Sequence, residues 1–179
     1  MLRSAMLCLV ASTAISTALH AQDTPNATIH PGSPAYLDSL DGFRGVKFGT
    51  EFGKFTGLVL DQDRGKLKLY TKKSEDLTLG LAKLSTIVYH FFDGKLQAVT
   101  IHTTSMPDGR TLTAIANSGF GAGTKLDPYN TIWQGETAWA QLSQNEGTGE
   151  MTLTIGDAEL SRELGTYEQQ QAQEAAAQL

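Results

Sequence analysis

Between residues 87 and 101 the chain sets two β-rich runs either side of an Asp-Gly pair: Ile87-Val88-Tyr89-His90-Phe91-Phe92, then Asp93-Gly94, then Lys95-Leu96-Gln97-Ala98-Val99-Thr100-Ile101. No other feature narrows the fold as much. Gly94 supplies the positive φ that the tight turn needs. The segment is therefore expected to be a tight antiparallel hairpin. Weaker signals surround it. Residues 43–48 alternate apolar with polar or small and read as one half-buried strand ending at Gly49, with Thr50 placed to cap a short helix over residues 51–55. Leu58-Val59-Leu60 enters a turn at residues 61–65, and residues 66–72 leave it with Leu67 and Leu69 opposed to Lys66, Lys68 and Lys72. Residues 77–79 form a short strand, residues 131–133 and 137–142 a second hairpin about Gly135-Glu136, and residues 151–155 a last strand.

Two segments have helical spacing. Across residues 108–118, Leu112, Ile115 and Ala116 fall at i, i+3 and i+4, and Gly119 suits a left-handed cap. Asp157 can cap a second helix with Leu160, Leu164 and Tyr167 on one stripe. Residues 166–179 turn to Gln, Glu and Ala and are expected to be a polar tail, helical or disordered. The expected class is α+β over residues 42–165: a mainly antiparallel sheet of six to eight strands with two or three helices, one packed on a sheet face. The alternative is two tandem units, each a helix followed by antiparallel strands, over residues 51–101 and 108–155.

The first residues address a different question. Arg3 is the only charge before Asp23, and a short apolar run and a small-residue stretch follow it. That pattern predicts a signal peptide over residues 1–21, cut between Ala21 and Gln22, with a cut after Ala18 as the competing site. Ser12, Thr13, Ser16 and Thr17 interrupt the run too early for a bilayer span of about 20 residues. Cys8 lies inside the apolar run behind a bulky Leu7, which argues against lipid attachment there. Removing 21 of the 179 residues leaves 158, with no cysteine and 13 basic against 19 acidic residues. Disulfides and thiolate chemistry are then ruled out. An acidic domain lacks the basic footprint for nucleic acid or anionic lipid. Nothing later is apolar for long enough to anchor it in a membrane. The expected location is periplasmic or extracellular. Residues 22–41, broken by Pro25, Pro31, Gly32 and Pro34, read as a linker.

Each candidate for chemistry meets an ordinary alternative. His90 and His102 sit at opposite ends of the predicted hairpin, with Gln97 opposite His90, so they lie about 16 Å apart at ~3.3 Å per residue and cannot share a metal. Asp61-Gln62-Asp63-Arg64-Gly65 opens like a calcium loop, but Gly65, Lys66 and Lys72 stand where that loop needs oxygen, Gly and Glu. The Gly119–Lys125 run follows a helix, whereas a phosphate loop opens one. Ser85, Ser105 and Ser118 lack a nucleophile frame. Asp127, Glu136, Glu146 and Glu150 sit in or beside predicted loops, where carboxylates can pair across a cleft but are usually just solvated. The three lysines of residues 66–72 read as guards on an exposed strand. Of Trp133 and Trp139, on opposite faces, one is expected in the core and the other free for sugar or protein contact. No catalytic residue, cofactor site or metal ligand is assigned.

Phe43-Arg44-Gly45-Val46-Lys47-Phe48-Gly49-Thr50 resembles the F-x-G-V-x-F-G-T opening of small exported bacterial proteins of unknown function. Residues 87–96 and Ile132-Trp133-Gln134-Gly135 resemble later landmarks of the same group. The resemblance spans about residues 43–155 and implies no activity. The functional expectation is a non-enzymatic binding or interaction module of the cell envelope, taking a protein or cell-wall component. The alternatives are a carboxylate-based glycan hydrolase and a secreted protein inhibitor.

Overall fold

The computed structural model describes residues 29–178; the leader and its cut between Ala21 and Gln22 lie outside them. In chain order the elements are α1 (Pro34–Leu40), β1 (Gly42–Phe43), β2 (Val46–Lys47), a 3-10 turn (Phe52–Lys54), β3 (Leu58–Arg64), β4 (Leu67–Lys72), β5 (Thr78–Leu79), β6 (Ala82–Phe92), β7 (Lys95–Thr103), α2 (Met106–Phe120), β8 (Thr124–Lys125), β9 (Asn130–Gln134), β10 (Ala138–Gln144), β11 (Met151–Asp157) and α3 (Ala158–Ala176). The class is α+β. A nine-stranded antiparallel sheet runs β3-β4-β6-β7-β11-β10-β9-β8, with β5 attached to β6, and β1 pairs only with β2. The large sheet consists of two consecutive meanders whose last strands, β7 and β11, lie side by side. Asp93 (φ 48°) and Gly94 (φ 79°) make the expected turn between β6 and β7.

Burial follows the strand period of two. Ile101 and Val99 of β7, Leu153 of β11, and Leu142 and Ala140 of β10 face the core on one side of the sheet. There α2 packs on β11, β6 and β7, and α1 packs on α2 and β10. On the other side the first turns of α3 bury Leu160 and place Ser161, whose hydroxyl accepts from Gln97 Nε2 at 2.6 Å and from Trp139 Nε1 at 2.7 Å.

Several expectations need correcting. The linker ends sooner than residue 41, because residues 34–40 are a helix. Pro34 starts it instead of breaking it, since Pro at a first helical position has no N–H to leave unbonded. The Ser33 hydroxyl caps the Tyr36 N–H, and Leu37 is fully buried. Asp38 reaches across to accept the N–H groups of Glu136, Thr137 and Ala138 at 2.9 Å each. Burial pushes its carboxyl pKa up, but these bonds outweigh that and hold it below the usual range.

Residues 43–48 are a minimal hairpin, not one strand. Arg44 (φ 50°) and Gly45 (φ 78°) turn the chain, and Phe43 pairs with Val46. Gly42 must be glycine, because any Cβ there would strike the Val46 carbonyl. The expected helix over residues 51–55 is a single 3-10 turn with no side-chain cap. β3 continues through Arg64, leaving Gly65-Lys66 as the turn. It is also the sheet edge, so Asp61, Asp63, Arg64 and a bulge at Asp61 guard it, while the lysine strand β4 is paired on both sides. α2 begins two residues early because Ser105 caps it, and Gly119 lies within the helix, with Gly121 (φ 82°) after its end. Trp139 pairs with Gln134 and Trp133 with Ala140, a longer turn than Gly135-Glu136 alone. The tail is helical through Ala176.

Candidate functional site

A cleft of about 470 Å³ opens between the C-terminal half of α2 and the β1–β2 hairpin. Its floor is the core side of the sheet, Ile101 of β7 with Leu153 and Ile155 of β11. Ile115, Ala116 and Phe120 of α2 form one wall and Phe43 the other, with Tyr36 and Leu40 of α1 at one end. That volume lies in the range that holds small molecules or inserted side chains. Among the described residues, Tyr36 and Arg44 are its only titratable lining residues.

The charge at the mouth is already answered. Arg44 donates to Glu75 Oε1 at 2.8 Å, to the Asp76 carbonyl at 2.6 Å and to the Thr78 carbonyl at 2.5 Å. Glu75 also accepts from the Tyr89 hydroxyl at 2.6 Å. Burial, and then the Glu75 carboxylate, push the Tyr89 pKa well up, so the phenol stays a donor. This network ties the hairpin to the β4–β5 loop and to β6, and pairs the cation that lines the mouth with a carboxylate. Apolar surface continues outside it. Leu40 is exposed, and Leu81, in the turn that follows the lining residue Leu79, is 92 % exposed.

The residues singled out in the sequence lie elsewhere. His90 pairs with Ala98, not Gln97, because a bulge inserts one residue between the His90–Ala98 and Phe91–Leu96 pairs. That puts both histidines on one sheet face, but His102 is four residues beyond Ala98, roughly 13 Å along the strand. His90 Nε2 meets the Thr100 hydroxyl at 2.9 Å, and His102 Nδ1 meets the Thr152 hydroxyl at 3.1 Å. Among the described residues no three His, Cys, Asp or Glu side chains gather to hold a metal. Asp63 accepts the Gly65 N–H and pairs with Lys68 as part of its hairpin. Asp127 is taken up by the N–H groups of Tyr129 and Asn130, both at 2.8 Å. Glu136 follows β9, whereas Asp127 precedes it, and Glu146 and Glu150 lie in the β10–β11 turn. Trp133 is in the core, its Nε1 donating to the Gly121 carbonyl at 2.8 Å. Trp139 lies over Gly156 and anchors α3 through Ser161.

Sequence reasoning missed the cleft because α1 read as linker and the β1–β2 hairpin as a strand. The usable signals were Ser33-Pro34, a cap followed by a helix-starting Pro, and Arg44-Gly45, a pair able to turn. No family model matches the sequence, and no curated protein or solved structure matches the chain.

Proposed function

We propose that the protein is an exported, non-enzymatic binding module of the cell envelope that takes an uncharged apolar group of a partner protein or cell-wall component into this cleft. One observation carries the reading: a cleft of about 470 Å³ reaches core residues of β7 and β11 beneath a mouth where Glu75 offsets Arg44. Apolar surface removed from water supplies the affinity, at about 25 cal/mol per Å². The chemistry of the lining, aliphatic and aromatic with Tyr36 and Arg44 as its titratable members, suits binding better than acid–base catalysis. The exposed Leu81 turn favours a second reading, an inhibitor that presents this loop to a target protein.

The test fills the cleft. A Cβ at Gly119 would meet, among the described residues, the Tyr36 ring alone, at about 3.8 Å. Gly119→Leu therefore occupies the cleft and also removes a helical glycine, which favours the fold by about 0.5–1 kcal/mol. An uncharged fluorescent naphthylamine is expected to bind the native protein saturably and Gly119→Leu at least about tenfold more weakly, with Tm unchanged or raised. Equal dye binding by both proteins refutes the reading. Loss of partner capture in Leu81→Ser but not in Gly119→Leu favours the inhibitor.

A further inference from the structure

A second and smaller cleft, of about 190 Å³, lies where the N-terminal half of α2 meets the loop before β9 and the β10–β11 turn. We propose that it binds a small organic acid, with the carboxylate held by Arg110 and Lys125 and a short apolar body seated on Met106 and Met151. From residue 104 to the end the chain has three cationic residues, Arg110, Lys125 and Arg162, against ten acidic ones. Two of those three line this one cleft. Among the described residues neither forms an ion pair.

The carboxylates close to them in sequence are committed elsewhere. Asp108 accepts from Ser105, from Thr104 and from the Lys83 N–H, and Asp127 from the loop N–H groups described above. Other donors line the cleft as well. The Tyr129 hydroxyl and the Gln144 amide make no side-chain hydrogen bond among the described residues. Arg presents paired N–H groups that match a carboxylate, and Lys adds a point charge. Both methionines lie against glycines: Met106 Cε is 2.8 Å from where a Cβ on Gly149 would stand, and Met151 fills the corresponding space at Gly109, while Met106 keeps an exposed face for a ligand. The volume is below that of clefts for drug-sized ligands, which limits the body to a few carbons. This cleft shares no lining residue with the apolar one, so either reading can fail alone.

The test is a titration of the mature protein with hexanoate, benzoate and inorganic phosphate, followed by backbone and side-chain amide NMR. Hexanoate or benzoate is expected to shift Gly149 and the Gln144 amide saturably. Arg110→Gln and Lys125→Gln should each raise Kd about tenfold or more, and Arg162→Gln should leave it unchanged. Because all three side chains are exposed, Tm is expected to stay at the native value. Shifts that do not saturate, phosphate binding as tight as the organic acids, or an equal loss in Arg162→Gln would overturn the proposal.

Discussion

His90 carries a titration that the fold has moved. Burial drives its pKa down to about 4, with the charges of His102 and Arg64 adding to the effect. Burial lowers His102 as well, against an opposing pull from Glu150. In the unfolded chain His90 takes up a proton near pH 6.5, whereas in the folded one it waits until about pH 4. Its contribution to stability is therefore complete above about pH 6.5, falls as pH drops through the window between, and is gone below about 4. Chemical denaturation at pH 7.5 and pH 4 should differ by up to about 3 kcal/mol from this residue. His90→Gln should flatten that part of the profile, and an unchanged slope would refute the assignment. The separation of the two histidines was legible from hairpin geometry alone. Their common face was not, because the bulge beside His90 has no mark in the residue pattern.

Trp139, Gly156 and Ala98 lie in one row across β10, β11 and β7. The indole occupies the space a side chain at Gly156 would need, with Cε2, Cζ2 and Nε1 each 2.9 Å from an added Cβ. Gly156→Ala should push the ring off Ser161, lower stability by about 1–3 kcal/mol and loosen α3 before the sheet. Hydrogen exchange would reveal this as early loss of protection over residues 158–167, and equal loss across β10 and β11 would contradict it. Elements bounded by local turn chemistry were readable in advance: β6 and β7 from Asp93-Gly94, β4 from its alternation, α2 from its stripe. α1 was not, because its neighbours Pro31 and Gly32 disguise a helix that depends on burying Leu37. The β1–β2 hairpin escaped because two-residue strands about a turn alternate as a single strand does. Thr124–Lys125 escaped because two residues are too few for any period.

For the molecule as a whole, the fold class followed from short links between strands, but neither cleft did. The floor of the apolar cleft joins Ile101 to Leu153 and Ile155, residues of two strands that only the sheet order brings together. In sequence they are simply apolar. Export belongs to this scale too. Protein recovered from the native host should begin at Gln22 by terminal sequencing or intact mass. An intact Met1 would remove the exported part of the proposed function and leave the chemistry of the clefts standing. The seam between the meanders has one further consequence. Within each meander, strands pair mostly with near neighbours in the chain, whereas β7 and β11 join residues such as His102 and Thr152, fifty positions apart. Synthesis from the N-terminus completes β3 to β7 well before β11 exists. Until then β7 presents an open edge and half a core, and closing the interval carries the entropy of a long loop. The moment at which the domain becomes whole is set by the arrival of its last strand.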